Sequence, residues 1–226
     1  VPRECRKAPV GNGTSDHGRA GLALEIERKF LVVHDTWRSR IVRSQHIEDH
    51  LIAVFPKGKV RIRICAGTAA LTLKGNRQGI RRSEFHVPLT LAEAALMAEE
   101  FGGAPPLRKR RHDVAVSSLV WHVDEYTGPL SGLVTADVEL PAEDHPLVLP
   151  PWAGPEITAD CRFSSAAMVR AIQHGREAVA CVMAASAAVA AQEQGPGVYR
   201  LYAGSPKSGD EPSVHPADAN ASSIGG

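Results

Sequence analysis

The sequence predicts a mainly β (α+β) protein: an antiparallel sheet of eight strands, able to close into a barrel, with flanking helices. Three observations point there. Short segments of alternating or branched apolar residues recur through the middle of the chain. Tight-turn residues separate most of them, as in "PKG" at 56–58, "AGT" at 66–68, "GNRQG" at 75–79 and "TGPLSG" at 127–132. Helical patterning is sparse until the C-terminal region.

Taken in order, residues 1–21 are rich in Gly, Pro and charge without periodicity and are expected to form a disordered leader. One domain is expected over 22–192, its strands at 24–33, 47–55, 59–66, 69–75, 80–88, 107–116, 119–126 and 133–140. Asp35 or Thr36 can cap a short helix through Val42. Thr90 followed by Glu93 resembles a capping box, opening a helix that runs to Phe101 and stops at Gly102. An Ala-rich helix is expected from Ser164 to Gln192, with a break near Gly175, and 193–226 reads as a disordered tail.

Composition narrows the class. The chain has 226 residues, 43% of them hydrophobic, enough for one sizeable core. Cys5, Cys65, Cys161 and Cys181 are too scattered for a metal knuckle or a redox pair and fit reduced thiols. No apolar run reaches the ~20 residues of a membrane span, and 1–21 has no signal-peptide core. A cytoplasmic protein with no membrane partner is the expectation.

The net charge of +1 hides a segregation by sign. From Lys57 to Arg82 there are eight basic residues and no acid; from His112 to Cys161 there are nine acids and no Lys or Arg. Side chains two apart in a strand share a face. Glu25, Glu27 and Lys29 therefore lie together, as do Arg61 with Arg63, Thr72 with Lys74, Glu84 with His86, His122 with Asp124 and Tyr126, and Asp137 with Glu139. Opposite them stand Val60, Ile62 and Ile64, Leu71 and Leu73, Trp121 and Val123, Ala136 and Val138. Lys109 and Arg111 alternate with Arg108 and Arg110, so that strand gives no clear face. Two architectures satisfy this pattern: an open sheet showing its charges to water, or a barrel pointing them into a wet tunnel. In a tunnel, converging Arg and Lys call for a multiply charged anion. The carboxylates of Glu25, Glu27, Asp137 and Glu139 would then hold a hard divalent cation such as Mg²⁺ against it.

These segments, in this order, resemble the CYTH superfamily, the triphosphate tunnel metalloenzymes. The N-terminal Glu-x-Glu-x-Lys signature stands as Glu25, Glu27 and Lys29. "VRIRI" carries Arg61 and Arg63, "LTLKG" Lys74, "RRSEF" Arg82 and Glu84, "KRR" Lys109 and Arg111, "WHVDEYTG" Asp124, and "ADVELP" Asp137 and Glu139. "PPWAGPEITADCRF", with Glu156, Asp160 and Arg162, is similar to the closing segment. His86, His122 and Asp137 depart from the usual acids and bear on a second metal site.

The resemblance implies an eight-stranded tunnel barrel hydrolysing a triphosphate with Mg²⁺ or Mn²⁺. Lys29, Glu25 and Glu27 would be catalytic. Arg61, Arg63, Lys74, Arg82, Lys109 and Arg111 would bind substrate, and Glu25, Glu27, Asp137 and Glu139 metal, with Asp137 alternatively steadying a basic neighbour. Inorganic triphosphate leads. Thiamine triphosphatase, adenylate cyclase and a non-catalytic polyphosphate-binding module are the alternatives. Acids on the same faces oppose nucleic acid. Arg77 and Arg81, near a turn, are expected in solvent or guarding a tunnel mouth; Trp37, Trp121 and Trp152 are expected in packing.

Overall fold

A computed structural model describes residues 24–191 and a short strand at 200–202. The leader and tail expectations otherwise lie outside the described residues. The first eight strands are β1 (Leu24–Val32), β2 (Ile41–Phe55), β3 (Gly58–Cys65), β4 (Thr68–Gly75), β5 (Arg81–Leu89), β6 (Leu107–Val116), β7 (Leu119–Tyr126) and β8 (Val134–Glu139). Hydrogen bonding runs in the order β1-β5-β4-β3-β2-β6-β7-β8, and β8 pairs back onto β1, so the sheet closes into an eight-stranded antiparallel barrel. Closure removes the exposed edges an open sheet would leave.

The strand predicted at 47–55 begins at Ile41, and the helix expected through Val42 shrinks to a 3₁₀ turn, Thr36–Arg40. Pairing with β6 is the reason: Ile41 through Asp49 lie against Leu107 through Val114, and that long-range ladder overrides local helix preference. Three strands escaped prediction. They are β9 (Leu147–Leu149), β10 (Ala153–Glu156) and β11 (Arg200–Tyr202), which pairs with β9 inside the stretch expected to be disordered.

Helix α1 (Leu91–Phe101) has the predicted capping box: Thr90 Oγ1 accepts from the Glu93 amide, and the Thr90 amide donates to Glu93 Oε2. The C-terminal helix is divided into α2 (Ser165–His174) and α3 (Arg176–Ala191) by Gly175, whose φ of 94° no branched residue adopts comfortably.

The apolar faces of the strands point outward and are covered over much of the barrel, although Phe85 and Val87 of β5 stay exposed. Phe30, Val114, Trp121, Val123, Ala136 and Val138 pack with Trp37, Leu147 and Trp152. Ile62 and Ala69 pack beneath Ala94 of α1. A third cluster caps one mouth of the barrel. Leu31, Leu107, Tyr126 and Leu133 continue the charged rows of β1, β6, β7 and β8, and they meet Phe163, Met168 and Val169 where α2 lies across the strand ends. The tunnel is thus sealed at one end.

Strand β1 has three neighbours. It pairs with β5 only over Leu24–Ile26, with β8 over Glu27–Leu31, and with β10 at Phe30 and Val32. The closing segment anchors it further: the Lys29 amide donates to Thr158 Oγ1 at 2.9 Å, and Arg28 pairs with Glu156 on the outer side.

At the start of β3, a Cβ on Gly58 would sit 2.2 Å from the Lys74 carbonyl oxygen of the neighbouring strand. Gly58→Ala should therefore cost about 1–3 kcal/mol and lower Tm by about 2–4 °C per kcal/mol. Gly103→Ala, where nothing lies within 4 Å, should change Tm little. Thermal melts of the two variants side by side test the close approach.

Candidate active site

The strand alternation puts the charged rows inside the closed barrel, where side chains from different strands meet as ion pairs. Glu25, 7% exposed, accepts from Lys74 Nζ at 2.9 and 3.2 Å, and Lys74 also reaches Glu84 at 3.1 Å. Arg82 sits between the two signature carboxylates, its Nε on Glu25 and its Nη2 on Glu27 at 3.3 Å. That guanidinium lets two acids share one strand face without a metal between them.

On the next wall, Asp49 gathers Arg61 at 3.1 Å and Arg63 through two bonds of 2.7 and 2.9 Å. Asp124, fully buried, takes Arg111 through bonds of 2.7 and 2.8 Å and also holds Lys109. Arg111 reaches on to Asp137 at 3.2 Å, and Asp137 also accepts from Lys29. Glu139 stands opposite Glu27 in the β1–β8 register and is exposed. Among the described residues it forms no ion pair.

Every residue proposed from the sequence thus falls on the tunnel rows. Asp137 is engaged as a clamp on Lys29 and Arg111, the alternative weighed for it. Lys109 and Arg111 resolve the ambiguous strand by pointing inward, while Arg108 pairs outside with Glu48. His86 contacts Glu84 at 3.2 Å, and His122 contacts Asp113 at 2.9 Å.

Two residues of the lining went unassigned, Asp49 and Lys59. Asp49 is masked in sequence because Glu48 and His50, which share the opposite face of β2, are polar too. Lys59 shares the parity of Arg61 and Arg63, a signal that was available. Of the two places expected for Arg77, solvent is the wrong one: it donates to Glu27 Oε1 and to the Glu27 carbonyl, both at 2.9 Å, because the β4–β5 turn folds back over β1. Arg81 does lie outside, against Glu143 at 3.0 Å.

The enclosed charges perturb one another. Burial alone would raise Glu27, but Lys74, Lys29, Arg82 and Arg77 outweigh it and hold the carboxyl well below its usual range. Glu25 moves the other way: burial and the Glu27 charge raise it despite Lys74 and Arg82. Burial also opposes the ammonium of Lys29, yet Asp137 overcomes it and keeps Lys29 firmly protonated. Burial lowers Lys109 to about 8 and Lys59 to about 7.

Four buried side-chain atoms have no hydrogen-bond partner among the described residues, Trp121 Nε1, Thr135 Oγ1 and two on charged groups: Arg61 Nε, a donor, and Glu84 Oε2, an acceptor. The last two suit an acceptor such as an anion and a donor or cation respectively. The donor set suits a hard divalent ion, since Glu25, Glu27 and Glu139 offer carboxylate oxygens from adjacent strands. Among the described residues no three acid, His or Cys side chains already converge as a metal site. Glu25 and Glu27 are folded onto Lys74, Arg77 and Arg82 instead.

The fold and this lining define a class: closed antiparallel tunnel barrels with a charged interior. The CYTH domain family matches residues 23–168, and the chain belongs to that family. An inorganic triphosphatase of Acetivibrio thermocellus is 33% identical over 150 residues, spanning 66% of this chain and 95% of the relative. An inorganic triphosphatase of Nitrosomonas europaea is 26% identical over 151 residues, 66% of this chain and 98% of the relative. A solved inorganic triphosphatase structure superposes with a TM-score of 0.47 at 24% identity, covering 64% of this chain and 93% of that one.

The depressed lysines predict a pH dependence. Between the folded values of about 7 for Lys59 and about 8 for Lys109 and the ordinary lysine value of about 10.4, the unfolded chain binds more protons than the folded one. Stability conferred by these two groups should therefore rise with pH over that window. Urea melts of the ligand-free protein at pH 8, 9 and 10 should show the rise, and Lys109→Met should flatten it.

Proposed function

We propose that this chain hydrolyses a triphosphate, with inorganic triphosphate as its first substrate. The observation that carries this reading is the enclosed set of Arg61, Arg63, Lys74, Arg82, Lys109 and Arg111 beside the carboxylates of Glu25, Glu27 and Glu139. A polyanion accompanied by a divalent cation is the ligand that compensates both groups together. The name inorganic triphosphatase, borne by two relatives, supports the same reaction.

Phosphoryl transfer asks for positioning and electrostatic stabilisation more than for covalent participation. The guanidinium forks of Arg61, Arg63 and Arg111 would grip phosphate oxygens, with the ammonium groups of Lys74 and Lys109 adding point charge. Arg82, already spanning two carboxylates, would turn one face to the substrate. Glu25, Glu27 and Glu139 would hold Mg²⁺ or Mn²⁺. When bound, such an ion polarises phosphoryl oxygens and offsets charge as it develops. Lys29 stays protonated beside Asp137, so its role is to donate to a phosphate oxygen or orient the attacking water, not to remove a proton. Water adds to a terminal phosphorus, the bridging P–O bond breaks, and phosphate and pyrophosphate leave.

The sealed end bears on substrate choice. A long polyphosphate cannot thread through a tunnel that α2 covers, which favours short chains. Tyr126 faces the same end, buried beneath Lys109 at 5.7 Å, and offers no exposed platform for a nucleobase or thiamine ring. No described helix is long and apolar enough to cross a membrane.

A substrate panel tests the reading: phosphate release from inorganic triphosphate, nucleoside and thiamine triphosphates and long polyphosphate, each with Mg²⁺ and Mn²⁺. Inorganic triphosphate should be cleaved fastest. Tight binding of long chains without release would sink the proposal in favour of a binding module.

The roles separate by mutation. Glu27→Gln should abolish activity yet leave metal-free triphosphate binding intact or tighter, because Arg77 and Arg82 lose a competitor for the anion. Arg63→Ala should weaken binding with or without metal by roughly ten- to a hundredfold, the loss of about 1.5–3 kcal/mol expected for a charged hydrogen bond. Titration calorimetry on both variants distinguishes these effects. Full activity in Glu27→Gln would contradict the assignment.

A further inference from the structure

Lys59 stands apart from every other cation of the tunnel. It shares the inward row of β3 with Arg61 and Arg63 and lies opposite Lys74 in the β3–β4 register. Lys29, Arg61, Arg63, Lys74, Arg82, Lys109 and Arg111 each have a carboxylate within ion-pair distance. Among the described residues Lys59 has none. Its side-chain partner is a neutral hydroxyl, Ser165 Oγ at 2.6 Å, on the first residue of α2.

The groups around it are nearly all of like sign. Arg82, Arg61, Lys74 and Lys29 press on it from β5, β3, β4 and β1. The nearby acids Glu25 and Glu84 are already engaged by Lys74. The helix packed over it brings no relief, for the first turn of α2 contains no acid. Like charges gathered in an enclosed space cost free energy until an anion enters.

We propose that Lys59 is a further phosphate contact of the tunnel, held at the sealed end by Ser165 and gripping the phosphate unit seated nearest α2. The proposal rests on the triphosphatase reading and extends it to a residue whose place at the helix-covered mouth ties the length of the gripped chain to α2. Ser165 keeps the ammonium extended toward the lumen while accepting one of its three protons, leaving two for phosphate oxygens. Burial and the surrounding cations hold Lys59 down at about 7. An arriving polyanion should raise that value, so binding should draw a proton from solvent.

The test is calorimetric titration of the full chain with metal-free inorganic triphosphate at pH 8, in two buffers of different ionisation heat. The unaltered protein should take up protons on binding. Lys59→Met keeps the aliphatic stem but removes the charge. It should bind about tenfold more weakly or worse with reduced proton uptake, and melt at or above the unaltered protein without ligand. Ser165→Ala should retain the uptake, with a loss of only a few fold. Unchanged affinity and uptake in Lys59→Met would overturn the role of Lys59 while leaving the triphosphatase reading standing. If the unaltered chain fails to bind triphosphate, while Arg63→Ala behaves identically, the tunnel reading falls and the role of Lys59 with it.

Discussion

The constraint on which this structure depends is that a charge enclosed in a barrel must be answered by another. An ordinary small barrel fills its interior with branched apolar side chains and avoids the problem. Here the interior is given to Arg, Lys, Asp and Glu, and the apolar rows face outward. Removing such ions from water costs several kcal/mol each before any pairing returns it. The lining is consequently a chain of shared partners: Glu25 with Lys74 and Arg82, Arg82 with Glu27, Asp49 with two arginines, Asp124 with Lys109 and Arg111.

That network also prepares the site for exchange. The partners available to each cation are carboxylates, and a polyanion offers the same chemistry in a denser form. On the proposed reading, phosphate oxygens engaging the cations would release the carboxylates of Glu25 and Glu27, which would then need positive charge of their own. Anion and metal would then assist one another through charge balance alone. The outer layers make this affordable in structural terms. Trp37, Trp121 and Trp152 and helix α1 supply outside the barrel the apolar packing that its interior forgoes.

Much of this was legible in the sequence because strand alternation is a local property. Glu25/Glu27/Lys29, Arg61/Arg63 and Asp137/Glu139 declare their faces within five residues or fewer, and the Thr90 capping box declares its helix. What stayed hidden depends on long-range pairing. Ile41–His46 became strand because β6 lies beside it, not because of its own pattern. Arg77 joined the site because a turn bends back onto Glu27, and nothing in "GNRQG" encodes that direction. Asp49 has polar neighbours on both sides, so alternation could not assign its face, whereas Lys59 carried a usable parity signal. The choice between open sheet and tunnel was settled by one pairing, β1 with β8, between strands more than a hundred residues apart.

The thin seam on β1 has a further consequence for motion. β1 shares only Leu24–Ile26 with β5, and beyond that β10 takes over the same edge. The strand carrying Glu25 and Glu27 thus lies where the cylinder has its shortest ladder, next to the turn bearing Arg77. Local opening free energies follow such differences in pairing, and weakly paired units open far more often than the whole domain. A cylinder with one short ladder breathes there first. Its amides along that join would exchange with solvent ahead of those in the long β2–β6 ladder, and the signature carboxylates would ride on the moving edge while the arginine wall stays fixed.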